Sequence, residues 1–388
     1  MTLDVVGLCR QLIGIDTQNP PGRERAVGEC LAETLVGHRF DIQWHGPDSD
    51  RANMLATLDR GAGPQVILQA HADTKPAVAA GAADRWTVDP FAGHISDGRL
   101  YGLGACDTKG GMAAFVTAAC ALAADPGWRG QLVVQCVADE EDGSALGAAY
   151  LLDAGLLNAD AALVAEPTSC LPSLAQLGLA WAEITITGRA AHAGTPSEGI
   201  DAYRAATRYI TVLDELVAEL DRDGEFPGHP RVNVGYLQIP GHPGTMPGEC
   251  LLRCDIRVLP GIERDDIYQL YQRAADTIAG DGVTVSVTRY QGGGCRSHRI
   301  AADSPLAAAF RAAQTATRQP PATLPFLGGS DARFFGAAAT PALVYGPGSL
   351  RHAHAPDEYV PVTELDLAHR QVTLTLRQLL YSSSRPPM

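Results

Sequence analysis

Two histidines and five carboxylates of this chain follow short apolar runs or lie in glycine-rich turns, where an α/β sheet presents reactive groups. They are His71, Asp73, Asp107, Glu140, Glu141, Glu166 and His354. Imidazole nitrogens and carboxylate oxygens, with no cysteine among them, suit Zn²⁺, Co²⁺ or Mn²⁺. Two such ions held together polarise a carbonyl and acidify a shared water, so the set favours a two-metal hydrolytic centre.

Each of these signals also has a plainer interpretation when it is taken alone. His71 and Asp73 point the same way in an extended segment, which fits a metal ligand with an orienting acid or a structural hydrogen bond. Asp107 could instead cap the helix that follows it. A run of four acids is usually a solvated loop, but in a cleft Glu140 could act as general base while Glu141 holds a metal. Their joint occurrence favours a single site.

The elements that must position these residues alternate between strands and helices over the first 170 residues. Apolar runs at 66–70, 132–137 and 161–165 predict buried strands, and 110–124 predicts a helix that is apolar on nearly all sides. This alternation predicts a mixed, mostly parallel sheet with helices on both faces. Because ligands bind beyond the carboxyl ends of parallel strands, the polar residues after each run should meet.

The pattern changes at about residue 179. Residues 181–187 alternate between apolar and polar side chains, as a strand with one solvated face does. The segments that follow are a helix at 201–220, strands at 231–239 and 249–258, a helix at 263–279 and a strand at 283–290. This β-α-β-β-α-β order predicts an α+β sandwich of the ferredoxin-like type. We therefore predict a catalytic domain of residues 1–178 and 296–388 with a second domain, 179–295, inserted, and a hinge at the glycines of 291–295.

Five motifs, in this order and at these spacings, resemble those of the M20 family of metallopeptidases and deacylases. They are HxD at His71, GxxDxKGG around Asp107, DEE ending at Glu141, EP at Glu166 and HxPDE at His354. Within the family the chain is most similar to the branch of acetylornithine deacetylase and succinyl-diaminopimelate desuccinylase. The resemblance implies a zinc-exopeptidase-like catalytic domain, and it makes residues 179–295 a lid and dimerisation domain.

The resemblance implies a role for each residue of the metal site. Asp107 would bridge two divalent ions, zinc or alternatively cobalt or manganese. His71 and Glu166 would complete one metal position, and Glu141 and His354 would complete the other.

Two further acids take supporting roles by the same resemblance. Asp73 would orient His71, while Glu140 would take a proton from the attacking water and return it to the leaving amine. The bridging aspartate of the family precedes a cis peptide bond, so the bond from Asp107 to Thr108 is expected to be cis.

The resemblance extends to residues that would hold the substrate. His192, in a histidine turn at 188–194, would reach the active site of a partner subunit and stabilise the oxyanion. Arg257 would bind a substrate carboxylate, the alternative being a strand-end ion pair. Gly328 and Ser330 belong to a glycine-rich segment that is either a substrate loop or a structural turn.

Two segments depart from the family pattern. Gly244 stands where relatives carry an asparagine, so a polar substrate contact is missing there. Lys75 follows the HxD motif, where apolar residues are commoner. We expect Lys75 to pair with a surface acid, the alternative being a role at the mouth of the site.

Together these features predict an enzyme that hydrolyses a linear amide and removes a small acyl group from an N-acyl amino acid, a small-molecule substrate. One alternative is a carboxypeptidase or dipeptidase with the same metal centre. Another is a catalytically inactive binding scaffold, which is disfavoured because every ligand position carries a competent residue. The resemblance also implies a homodimer formed through residues 179–295.

Composition argues against several other classes of protein. The 388 residues include 30 basic and 44 acidic ones, and a net charge of −14 lacks the positive surface that nucleic-acid binding requires. The nine cysteines form no CxxC pair, which favours reduced thiols in the cytoplasm over a disulfide framework. No apolar stretch is long enough to span a bilayer, and the N-terminal residues include an acid where a signal peptide would be basic, so neither membrane insertion nor secretion is expected.

Overall fold

The computed structural model describes residues 4–77, 85–290 and 294–381. The chain divides into two compact units. The first comprises Met1–Ala175, Arg299–Phe326 and Ser330–Met388, and the second comprises Gln176–His298 and Leu327–Gly329. The second unit thus differs from the predicted 179–295 by a few residues at each end, and it takes in Gly328, which we had assigned to the catalytic domain. Residues 291–293 of the predicted hinge lie outside the described residues.

A six-stranded sheet forms the centre of the first unit. Its strands are β1 (Asp41–His45), β2 (Asn53–Asp59), β3 (Gln65–His71), β6 (Gln131–Val137), β7 (Ala161–Val164) and β16 (Ala342–Val344). They lie in the order β1-β2-β6-β3-β7-β16. The pairs β6–β3, β3–β7 and β7–β16 are parallel, and the pairs β1–β2 and β2–β6 are antiparallel. The mixed, mostly parallel sheet predicted from the alternation is therefore confirmed.

Helices cover both faces of this sheet. They are α1 (Val5–Ile13), α2 (Glu24–Gly37), α3 (Gly110–Ala123), α4 (Ala148–Asp153), α7 (Pro305–Ala316), α8 (Ala332–Ala337) and α9 (Val362–Tyr381). Strand β3 shows the two faces, because Val66 and Leu68 pack into the core under α1, α3 and α9, whereas Ile67 packs into the core under α4 and α8. Across the described residues, no helix is long and apolar enough to cross a bilayer.

The first unit also contains a small three-stranded sheet, and two further short strands lie at the junctions with the second unit. β4 (His94–Ser96), β5 (Arg99–Tyr101) and β17 (Tyr359–Pro361) form an antiparallel sheet in the order β17-β5-β4. Because β17 follows the HxPDE motif directly, its pairing fixes that motif to the segment that precedes the glycine-rich turn of Asp107. Two-residue strands β8 (Ala175–Gln176) and β15 (His298–Arg299) lie where the chain passes from one unit to the other.

The second unit is an antiparallel sheet with two helices on one face. Its main elements are β9 (Gly178–Thr187), α5 (Ala202–Ala218), β11 (Val232–Gln238), β13 (Glu249–Val258), α6 (Arg264–Ile278) and β14 (Thr284–Arg289), with the short strands β10 (Ala191–His192) and β12 (Thr245–Met246). The sheet order is β11-β13-β9-β14, and residues along β9 and β13 are alternately buried under α5 and α6. This is the predicted α+β sandwich, which is confirmed.

Candidate metal centre

Three of the predicted site residues lie at or just beyond the carboxyl ends of adjacent strands. His71 is the last residue of β3, Glu141 follows β6, and Glu166 follows β7. Because β3 pairs in parallel with both β6 and β7, these three chain exits lie side by side at one edge of the sheet.

Asp107 lies in the turn that leads into α3, and its carboxylate faces two histidines. Its Oδ1 atom lies 3.1 Å from Nε2 of His71, and its Oδ2 atom lies 3.3 Å from Nε2 of His354. Burial acts to raise the pKa of Asp107, but hydrogen bonds from His354 and His71 outweigh it and hold that pKa well below its usual range. The bond from Asp107 to Thr108 is cis, as the resemblance implied. One carboxylate with an oxygen toward each histidine has the arrangement that a bridging ligand needs.

Two groups of ligand atoms meet at Asp107. The inner group is His71, Asp107 and Glu166, all buried, and the outer group is Asp107, Glu141 and His354. Within each group the donor atoms lie within 4.8 Å of one another. In the outer group, Nε2 of His354 lies 3.0 Å from Oε1 of Glu141, and the His354 backbone has a φ of +59°, in the left-handed region.

The donor set fits a pair of divalent cations. Burial, together with the nearby carboxylates of Asp107 and Glu140, raises the pKa of Glu166 well above its ordinary value. Burial and nearby negative charge both disfavour the ionised form of Glu166, and a cation between the carboxylates would offset both effects. Neutral imidazole and carboxylate donors suit Zn²⁺, Co²⁺ and Mn²⁺.

The carboxylate of Asp73 mainly holds a turn rather than the His71 ring. Nδ1 of His71 lies 2.9 Å from the backbone carbonyl of Asp73 and 3.5 Å from its Oδ1 atom. The carboxylate itself accepts the backbone N–H groups of Glu140 and Glu141, both at 3.1 Å, and the side-chain amide of Asn19 at 3.0 Å. Asp73 therefore fixes the turn that carries the candidate base and a candidate ligand, a contact that the HxD spacing does not reveal.

Glu140 belongs to neither ligand group. It begins a single turn of 3₁₀ helix, and its Oε1 atom lies 3.6 Å from Nη1 of Arg333. Arg333 donates in turn to Ser144, whose hydroxyl donates to Asp331 at 2.6 Å. Burial, followed by the neighbouring Asp331 carboxylate, raises the pKa of Glu140 to about 8. A carboxylate in this setting can exchange a proton near neutral pH, as a general base must.

Glu358, the last residue of the HxPDE motif, is a positioning residue that the sequence analysis missed. It is 2% exposed, and its Oε1 atom accepts the backbone N–H groups of Cys106 at 2.9 Å and Asp107 at 3.1 Å. Its Oε2 atom accepts the N–H of Gly104 at 3.0 Å. Glu358 thus fixes the backbone of the turn that carries Asp107. Its position in the HxPDE motif was the signal from which this role could have been predicted.

Lys75 has a different partner from the one expected. Its ammonium group donates to the backbone carbonyl of Glu141 and lies 3.5 Å from Oε2 of the same residue. The side chain of Glu141 is only 6% exposed, so the expected pairing with a surface acid is wrong. The partner is a candidate metal ligand.

His192 lies in the second unit with its ring exposed. It ends the short strand β10, and its Nδ1 atom accepts the backbone N–H of Gly194 at 3.0 Å. In the neutral ring this leaves the proton on Nε2, which makes that atom a hydrogen-bond donor.

Arg257 and the glycine-rich segment meet within the second unit. Nε of Arg257 donates to Asp255 at 2.8 Å, and Nη1 donates to the carbonyl of Leu327 at 3.2 Å, next to Gly328. Ser330 lies in the first unit, fully buried, and its hydroxyl accepts the N–H of Ala332 at 3.3 Å. These contacts favour the structural-turn alternative for Ser330 and leave Gly328 beside the guanidinium of Arg257.

Comparison with known sequences identifies the family. The profile of peptidase family M20/M25/M40 matches residues 67–378, and the chain belongs to this family of hydrolases. Acetylornithine deacetylase from Myxococcus xanthus is 33% identical over 326 residues, which are 81% of this chain and 81% of that protein.

Solved structures share the fold across nearly the whole chain. An M20 family metallo-carboxypeptidase from Sulfolobus solfataricus superposes with a TM-score of 0.78 at 16% identity and covers 97% of this chain and 99% of its own. A dinuclear metal-binding peptidase of the M20 family from Bacillus subtilis gives a TM-score of 0.71 at 17% identity and covers 97% of each chain.

Proposed function

We propose that this protein is a dinuclear metal-dependent amide hydrolase that removes an acyl group, acetyl in the simplest case, from an N-acyl amino acid. The observation that carries the proposal is the Asp107 carboxylate, whose two oxygens face His71 and His354 and so belong to both ligand groups. The 33% identity with an acetylornithine deacetylase supports the substrate class.

The chemistry divides between the ions and this chain's own side chains. Two divalent ions, zinc in our proposal, would be held by the inner and outer groups and would polarise the scissile carbonyl and acidify the attacking water. Glu140 removes a proton from that water as oxygen bonds to the acyl carbon. It then returns the proton to the amine nitrogen as the C–N bond breaks, so the products are a carboxylate and the free amino acid.

Residues of the second unit serve the substrate in this proposal. His192 presents an Nε2–H donor, because Nδ1 already accepts from Gly194, and it stabilises the oxyanion of the tetrahedral intermediate. Arg257, oriented by Asp255 and by the carbonyl of Leu327, binds the substrate carboxylate.

The same unit also pairs with a second copy of the chain in our proposal, so that His192 serves the site of its partner. The support is strand β11, which is an edge strand with Tyr236 40% exposed and Leu237 48% exposed. An exposed edge with apolar side chains is a surface that native proteins usually cover. Sedimentation velocity checks this part, and an active monomer would contradict it.

A substrate panel tests the reaction itself. The zinc-loaded enzyme is assayed with N-acetyl amino acids that differ in side chain, with N-succinyl counterparts, and with dipeptides that carry a free amine. We expect the highest kcat/KM for an N-acyl amino acid. Cleavage of dipeptides with no turnover of any N-acyl amino acid would replace the deacylase by a dipeptidase on the same metal centre.

A further inference from the structure

Lys75 is one of only two lysines in the chain, and it rests against the outer metal group. Its ammonium group donates to the backbone carbonyl of Glu141 and lies 3.5 Å from Oε2 of that residue. The side chain of Lys75 is 40% exposed, whereas that of Glu141 is 6% exposed. A partly solvated cation is therefore held against a buried candidate ligand.

The two oxygens of Glu141 have different neighbours. Oε1 lies 3.0 Å from Nε2 of His354, within the outer group. Oε2 faces the ammonium group of Lys75. The positive charge of Lys75 therefore lies beside one oxygen of the Glu141 carboxylate, and His354 lies beside the other.

The charge around the two groups also differs. Asp107 and Glu141 bring two negative charges to the outer group, and Lys75 offsets one of them. Within the part of the chain that the structure describes, no lysine or arginine forms an ion pair with Asp107 or Glu166. The inner group is therefore without such an opposing cation.

On the basis of the metal centre proposed above, we propose that Lys75 lowers the affinity of the outer group for a divalent cation, so that the inner group fills first. A resident positive charge repels an incoming one and competes with it for the negative charge of the Glu141 carboxylate. Because the site is partly open to solvent, removal of this single charge should tighten binding by about 10-fold.

Three variants separate charge from hydrogen bonding. Lys75→Gln keeps an N–H donor for the Glu141 carbonyl but has no charge, and Lys75→Arg keeps the charge. Arg204→Gln removes one positive charge from an 86% exposed side chain of the second unit and controls for net charge. A far-UV circular dichroism spectrum of each variant checks that it is folded.

Metal-free proteins are titrated with Zn²⁺ by calorimetry, and the visible absorption of Co²⁺ follows the same titration. We expect the weaker step to tighten about 10-fold in Lys75→Gln and the tighter step to stay unchanged. Lys75→Arg and Arg204→Gln should titrate like the wild type. In a His354→Ala background, which removes an outer ligand, the effect of Lys75→Gln should vanish.

An unchanged or weaker second step in Lys75→Gln overturns the inference, as does equal tightening in Arg204→Gln. Uptake of a single ion by both the wild type and Lys75→Gln also overturns it. The titration involves no substrate. A Lys75 effect in a protein that cleaves no N-acyl amino acid therefore contradicts only the proposed reaction, whereas a deacylase with no Lys75 effect contradicts only this inference.

Discussion

Replacement of Glu358 tests whether the bridging carboxylate depends on a buried acceptor beneath its turn. Glu358→Ala would leave the backbone N–H groups of Gly104, Cys106 and Asp107 buried with no carboxylate to accept them. An unsatisfied buried donor costs about 1–3 kcal/mol, and removal of a buried charge offsets part of the sum. We therefore expect Glu358→Ala to lower the free energy of unfolding of the metal-free protein by about 3–5 kcal/mol.

Glu358→Gln is the matched control. Its amide oxygen can still accept from Cys106 and Asp107, so only the hydrogen bond from Gly104 is lost. Burial raises the pKa of Glu358 to about 7, which means that the ionised side chain carries a desolvation cost that the amide avoids. The expected loss for Glu358→Gln is therefore smaller, about 1–2 kcal/mol.

Two measurements follow the effect from stability to the site. In urea unfolding of the metal-free proteins, the free energy of unfolding should decrease from the wild type to Glu358→Gln to Glu358→Ala. Hydrogen exchange of the peptide that spans 102–109 should become faster in the same order. Zinc affinity should fall at both groups, because Asp107 belongs to both. An Ala variant within about 1 kcal/mol of the wild type, with unchanged exchange and zinc affinity, would refute the role given to Glu358.

Three further predictions concern the reaction. Exhaustive chelation should abolish turnover of an N-acetyl amino acid and added zinc or cobalt should restore it, whereas full activity without metal would exclude the dinuclear mechanism. Glu140→Gln should bind two zinc ions like the wild type but lose about 10²–10⁴-fold in kcat, and loss of metal would mean that Glu140 is a ligand and not the base. His192→Ala should lose about 10²–10³-fold in kcat with normal zinc binding, and mixing it with Glu140→Gln should recover activity if the histidine acts across a dimer. Mixtures that stay inactive would place His192 in its own subunit's site.

Local periodicity made much of the fold predictable. The strand at 249–258 and the helix that begins at Gly110 have the predicted limits to within a residue. The strand is marked by alternating burial with a period of 2.0, and the helix by a long apolar run that starts at a glycine pair. The strand-end rule also placed His71 and Glu166 at one edge of the sheet, since β3 and β7 are adjacent and parallel.

Contacts between distant segments were not predictable in this way. The hydrogen bond from Gly104 to Glu358 joins residues 254 apart in sequence, and that from Glu141 to Asp73 joins residues 68 apart. Lys75 was expected to pair with a surface acid, but the three-dimensional course of the chain places it on a buried candidate ligand. Such pairings depend on tertiary structure, and neither periodicity nor motif spacing encodes them.

Each of the two supporting acids of the candidate metal centre holds a turn on a different segment of the chain from its own. Asp73, from the segment of His71, holds the turn of Glu141, a ligand in the group of His354. Glu358, from the segment of His354, holds the turn of Asp107, whose Oδ1 atom faces His71. Each histidine segment thus fixes a candidate carboxylate ligand on another segment, through backbone N–H groups that carry no net charge, and Asp107 also faces His354. Because each anchor acts on a candidate ligand outside its own segment, we expect a shift of either histidine segment to disturb both candidate metal positions.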